Sequence, residues 1–218
     1  MTKQFDLIIW DWDGTLADST SIIIDAITTA SAELGLGNIP RADASNIIGL
    51  SLNEAIKRLL GDIGAEKTQA LAARYRYYYY LHEENIPLFD GAVKTIIELR
   101  KRGFKLAVAT GKGRRGLDLA MERSELAHHF HATRTVDECF SKPHPQMLDE
   151  LMDFCVTTPE RTLMIGDTSY DLQMAQNANV QSLAVTYGAQ SREQLLRYNA
   201  LAYFDDFSSL SQWLMANA

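Results

Sequence analysis

The chain has 218 residues, 46% hydrophobic and 22% charged, values of an ordinary globular protein with length enough to bury a substantial core. A formal net charge of -7 argues against general affinity for nucleic acid, which needs basic surface to displace counterions, and against anionic membranes. No stretch approaches the roughly 20 apolar residues a membrane span requires, and the run after Met1-Thr2-Lys3-Gln4-Phe5 is too short for a signal peptide. Cys139 and Cys155 have neither metal-type spacing nor a secretory context. The expectation is a cytoplasmic protein with reduced structural thiols.

The first element is the apolar run Leu7-Ile8-Ile9-Trp10, whose β-branched centre and abrupt end at Asp11-Trp12-Asp13-Gly14-Thr15-Leu16 predict a buried strand of a parallel sheet. Ligands of such sheets bind outside the carboxyl ends of the strands. In extended chain Asp11 and Asp13 point the same way, so both carboxylates can face one small substrate. From Ser19 to about Leu81 the pattern is helical, with Ile22, Ile23, Ala26, Ile27 and Ala30, then Leu52, Ala55, Ile56, Leu59 and Leu60, at helical spacing. In the tract ending Tyr77-Tyr78-Tyr79-Tyr80, helical spacing puts Leu71, Tyr75, Tyr78 and His82 on one packing face.

After Pro87 the texture changes. Phe104 to Ala109, Thr162 to Ile165 and Val180 to Val185 predict buried strands, with a short strand at His131 to Thr135. Helices are predicted around Val93 to Leu99, Leu117 to Met121, Met147 to Phe154 and Leu172 to Ala175. Alternating strands and helices imply an α/β protein with a Rossmann-like parallel-sheet core and right-handed crossovers. The first strand belongs with the later ones, so the helical block is an insertion: residues 1–16 and 87–218 form the core and residues 17–86 a helical cap domain, hinged at Leu16 to Ser19 and Asn85 to Gly91.

Three further strand ends suit an anionic substrate. Val108-Ala109-Thr110-Gly111-Lys112-Gly113 delivers a hydroxyl and then glycines whose amides can approach a phosphate; a plain strand-to-helix turn explains it as well. Ser141-Lys142-Pro143-His144-Pro145 fixes a lysine between stiffening prolines. Ile165-Gly166-Asp167-Thr168-Ser169-Tyr170-Asp171 presents two carboxylates one helical turn apart, fit for a hard cation or, alternatively, for a helix capped by Asp167 with Asp171 in its first turn.

Taken together, DxDGTL at Asp11, the strand-end Thr110, Lys142-Pro143-His144-Pro145 and GDTxxD from Gly166 resemble the haloacid dehalogenase superfamily of phosphohydrolases, in order and across essentially the whole chain. The insertion after the first motif, Asp18-Ser19 and Thr110-Gly111-Lys112 are similar to its phosphoglycolate phosphatase-like branch. The resemblance implies that Asp11 attacks phosphorus to form an aspartyl phosphate and that Asp13 serves as acid and then base. It also implies Mg2+ held by Asp11, the Asp13 carbonyl and Asp167. Lys142 would neutralise charge, Thr110 and the Gly111 amide would hold phosphoryl oxygens, and Asp171 would orient Lys142 or a water on the cation.

Asp13 also separates the chain from dehalogenating relatives, whose halide leaves without a proton. Lys57, Arg58 and the histidines His128, His129 and His131 lack matching partners and are expected on solvated or structural positions. Ser51 in Gly49-Leu50-Ser51-Leu52 is either a helix N-cap or part of a substrate-selecting loop. The expected activity is hydrolysis of a small phosphomonoester, phosphoglycolate first, by a monomer or homodimer. Behind it stand β-phosphoglucomutase-like transfer, a pyrophosphatase, and a non-catalytic binder of phosphorylated metabolites.

Overall fold

The structure, a computed structural model, describes residues 3–218; Met1 and Thr2, which open the expected core segment, lie outside the described residues. Six strands, β1 Leu7–Trp10, β2 Lys105–Thr110, β3 Ala132–Thr135, β4 Thr162–Gly166, β5 Gln181–Val185 and β6 Ala202–Phe204, form one parallel sheet in the order β3-β2-β1-β4-β5-β6. Every residue of β1 is buried, because both faces are covered. Ile8 and Trp10 join Leu99, Leu106 and Leu210 on one face, while Leu7 and Ile9 join Leu148, Met164 and Met174 on the other. The covering helices are α5 Ala92–Lys101, α6 Arg114–Arg123, α7 Gln146–Cys155, α8 Ser169–Asn177, the short α9 Arg192–Leu195 and α10 Phe207–Asn217. No described helix is long and apolar enough to cross a membrane.

Between β1 and β2 the chain builds α1 Thr20–Glu33, α2 Arg41–Ser45, α3 Leu52–Leu60 and α4 Ala65–Tyr80. These share an apolar cluster of their own, in which Ile27, Ile48, Ile56, Leu71 and Tyr79 are buried. The chain enters and leaves this block side by side: Ala17 bridges Leu88 in antiparallel fashion, Asp18 N–H donates to the Pro87 carbonyl and Phe89 N–H to that of Leu16.

Two expectations need correction. On α4 the buried aromatic is Tyr79, whereas Tyr78 donates its hydroxyl to Glu33 and His82 is exposed. The packing face therefore keeps Leu71, Tyr75 and the partly buried Tyr78, adds Ala72 and Tyr79, whose ring stacks on that of Tyr75 at 5.9 Å between centroids, and leaves out His82. The helix beginning at Ser169 is capped by Thr168, not Asp167, in a reciprocal capping box with Asp171. In addition, β6 and α10 escape the sequence pattern: β6 is three residues of half-buried edge strand with no sustained apolar run.

Candidate active site

The sheet order puts the carboxyl ends of β2, β1 and β4 side by side, and the chain reverses strand order at β1, where open α/β sheets place their ligands. Asp11 follows β1 directly and Asp167 follows β4; Thr110 ends β2. Lys142 arrives from the segment between β3 and α7, and Asp171 from the first turn of α8. All five are buried, as is Asp13.

Lys142 Nζ lies 2.8 Å from Asp11 Oδ1 and 2.6 Å from Asp171 Oδ1. The second oxygen of Asp171 accepts from the Thr168 amide and hydroxyl, so this carboxylate has both oxygens engaged by protein. Asp11 Oδ1 also accepts from the Trp12 amide at 2.7 Å, whereas Oδ2 is buried with no partner among the described residues. Asp167 accepts from Thr15 Oγ1 at 3.0 Å and from the Ala189 amide at 2.7 Å.

Three buried carboxylates thus cluster together, and one ammonium pairs with two of them, Asp11 and Asp171. Burial, reinforced by the charge of Asp171, pushes Asp11 up to about 7 despite the attraction of Lys142. Asp167 is held well above the ordinary range by burial and by the charges of Asp11 and Asp171. Burial by itself would lower Lys142, but Asp11 and Asp171 push it up, so it stays an ammonium.

The arrangement fits a hard divalent cation. Asp11, Asp167 and Asp171 can each bring a carboxylate oxygen within 4.8 Å of the others, the donors are all oxygen, and the orphaned Asp11 Oδ2 lacks the positive partner its burial calls for. Asp171 is already neutralised by the Lys142 ammonium, whereas Asp167 accepts only from neutral donors and Asp11 keeps a free oxygen, so Asp11 and Asp167 are the side chains left to hold the ion. Two glycines shape the place. A Cβ on Gly14, at φ 80°, or on Gly188 would stand 2.1 Å or 2.3 Å from Asp167 Oδ2, so only glycine lets both loops close on that carboxylate.

Asp13 lines the same cavity as Asp11, opposite the helical block. Its Oδ1 accepts from Ser19 Oγ at 2.8 Å, and Lys112 Nζ lies 3.2 Å from both oxygens. Lys112 also donates to the Tyr79 hydroxyl at 2.5 Å, which ties a core loop to α4 across the cavity. Gly111 is required by the same closure: a Cβ there would stand 2.4 Å from the Gly49 carbonyl oxygen. The Gly49 loop therefore rests on the Thr110-Gly111 turn, and Ser51 both caps α3 and donates its amide to Ser141 beside Lys142.

The sequence-predicted residues Asp11, Asp13, Thr110, Gly111, Lys142, Asp167 and Asp171 come together at one end of the sheet. Thr15, Ser19, Tyr79 and Gly188 escaped sequence reasoning. Thr15 lies within the first motif and Ser19 just after it, close enough to have been suspected, but Gly188 has no local signal. The histidines stay apart from the site: His131 accepts from the Leu106 amide and contacts Arg100, and the His128 and His129 rings lie 4.0 Å apart, tilted by 41°. Lys57 is exposed on α3.

A family model described as haloacid dehalogenase-like hydrolase matches residues 8–185. Among curated proteins, the pyrophosphatase PpaX of Bacillus mycoides is 28% identical over 209 residues, 95% of each chain. Among solved structures, a hydrolase from Pseudomonas syringae superposes with a TM-score of 0.89 at 23% identity, covering 98% of this chain and 99% of that one. A protein described as a predicted phosphoglycolate phosphatase from Haemophilus somnus gives 0.83 at 22% identity, covering 97% and 99%. The structural likenesses show a shared fold.

Proposed function

This chain belongs to the haloacid dehalogenase-like hydrolases, and within that family we propose that it is a Mg2+-dependent phosphatase working through an aspartyl phosphate on Asp11. The observation that carries the proposal is the pairing of a buried carboxylate, Asp11, with Lys142 on one side and an unpartnered oxygen on the other, two residues from a second carboxylate on the same cavity.

When bound by Asp11 and Asp167, the cation supplies positive charge against which a dianionic phosphate can approach a carboxylate nucleophile. Asp11 attacks phosphorus, the bond from phosphorus to the leaving oxygen breaks, and Asp13 gives that oxygen its proton. Water then attacks the aspartyl phosphate while Asp13 takes the proton back, which frees phosphate and restores Asp11. Thr110 and the Gly111 amide hold phosphoryl oxygens, and Lys142 offsets charge as it spreads. Asp171 keeps Lys142 in place. Ser19 and Lys112 hold Asp13 in position. Residues 17–86 act as the cap, closing over the core and excluding water.

The names of the PpaX relatives support a second reading, in which pyrophosphate is the substrate. Both readings predict Mg2+-dependent phosphate release that disappears in Asp11→Asn. Transfer of phosphate to a sugar, without release, would instead indicate a mutase. Binding without turnover would indicate a regulator. A cytoplasmic monomer or homodimer acting on a small phosphorylated metabolite completes the proposal, tested by sedimentation and cell fractionation.

A further inference from the structure

Resting on the phosphatase reading, we infer that the substrate is a phosphomonoester whose leaving alcohol carries a flat, stackable ring, rather than pyrophosphate or a two-carbon acid ester. The cavity above Asp11 and Asp13 has a volume of about 560 Å³. That lies within the roughly 300–1,000 Å³ of pockets that enclose drug-sized ligands, and a pyrophosphate or a phosphoglycolate would occupy a small part of it.

The wall decides what fills the rest. Its apolar part is built by Ile27, Ile48, Leu52, Ala55, Tyr75 and Tyr79, all from the helical block, while Ser51, Asn53 and Asp137 add polar side chains to the rest of the lining. Burial holds the Tyr75 and Tyr79 hydroxyls far up the scale, so these aromatics are neutral and offer ring faces and hydroxyl dipoles, not charge. A second phosphoryl group or a carboxylate placed against this wall would lose its hydration and meet one ammonium there, Lys112, which lies over the Tyr79 ring and is already paired with Asp13. The lysines at the floor are already committed: Lys142 lies against Asp11 and Asp171, and Lys112 against Asp13. Arg76 and Arg115 also line the cavity, but both are exposed residues at its mouth. A flat apolar body buried against isoleucine and tyrosine gains from dehydration and stacking what an anion would lose.

The test uses two matched pairs that share a leaving alkoxide and differ by the ring: uridine 5′-monophosphate against ribose 5-phosphate, and 2-phenylethyl phosphate against ethyl phosphate, with pyrophosphate and phosphoglycolate alongside. The expected result is kcat/KM about tenfold or more higher for the ring-bearing member of a pair, and higher than for pyrophosphate or phosphoglycolate. Leu52→Gln, checked for folding by its melting curve, should narrow that ratio about tenfold, with Leu52→Ala as the milder second variant. Calorimetric binding to Asp11→Asn should rank the same compounds in the same order without turnover. Equal rates within both pairs, a preference for pyrophosphate or phosphoglycolate, or a uniform loss across both members of a pair in Leu52→Gln would overturn the inference and leave the phosphatase reading standing. No phosphate release from any compound would overturn that reading and this inference with it.

Discussion

Lys142 Nζ sits 2.8 Å from Asp11 Oδ1, and both side chains are closed off from solvent. A lysine is buried in this way only when carboxylates compensate it, and here two do. The same lysine is the one ammonium paired with a cluster of three buried carboxylates, so its removal and the removal of a carboxylate have opposite consequences.

Lys142→Met should destabilise the metal-free protein by about 3–5 kcal/mol, the cost of breaking a buried ion pair and leaving charge uncompensated. The carboxylates can escape part of this by taking up protons. The loss should therefore be larger at pH 8 than at pH 6, as read from urea denaturation midpoints at the two values. An equal loss at both would mean that packing of the lysine stem, not its charge, holds the site together.

Asp11 gives the reverse behaviour. Its pKa rises from the ordinary 3.8 to about 7 in the folded protein, chiefly because it is buried. Between those values the folded state keeps a proton that the unfolded chain has lost, so stability declines as pH rises through this window. Asp167 is shifted in the same direction. With EDTA present, the melting temperature should fall from pH 5 to pH 8, and Asp11→Asn should flatten that fall while abolishing turnover. An unchanged slope in the variant would remove Asp11 from the titration.

Mg2+ should restore what high pH removes. At a concentration about 100 times its dissociation constant, a ligand that binds only the folded state contributes roughly 2.7 kcal/mol. For a chain of this size that is a rise of roughly 5–11 °C in melting temperature. Because the ligating carboxylates must be unprotonated, the rise should be larger at pH 8 than at pH 5.5. A shift independent of pH would place the ion elsewhere.

Much of this site is legible in the sequence because each motif follows a strong strand signal. Leu7 to Trp10 and Leu163 to Ile165 are short apolar runs buried on both faces, and the polar residue that ends each run must lie at the sheet's carboxyl edge. What links one motif to another is less legible. Gly188 meets Asp167 only because β5 lies beside β4, and Tyr79 meets Lys112 only because α4 folds back over the sheet. Helical spacing finds Leu71, Tyr75 and Tyr78 on the packing face of α4 but misses Tyr79 and runs on to the exposed His82, since four consecutive tyrosines offer nearly equal choices until Lys112 is in place. At Gly111 the sequence shows an amide that can approach a phosphate but not the Gly49 carbonyl of the helical block, which a Cβ there would meet.

Gly188 tests whether these long-range contacts matter to the ion. In Gly188→Ala the added Cβ would stand 2.3 Å from Asp167 Oδ2 and 2.4 Å from the Gly14 carbonyl oxygen, so carboxylate and backbone must both move. Overpacking of this kind costs about 1–3 kcal/mol in stability. Displacing a ligand's supports weakens metal binding by about 10–100-fold, and calorimetric Mg2+ titration of the folded variant reads that loss directly. The Ala189 amide that now fixes Asp167 Oδ2 belongs to the residue after Gly188, so the substitution disturbs the carboxylate from two sides. Loss of stability with unchanged Mg2+ affinity would show that Asp167 does not hold the ion, and would shift the ligand set toward Asp11 and Asp171.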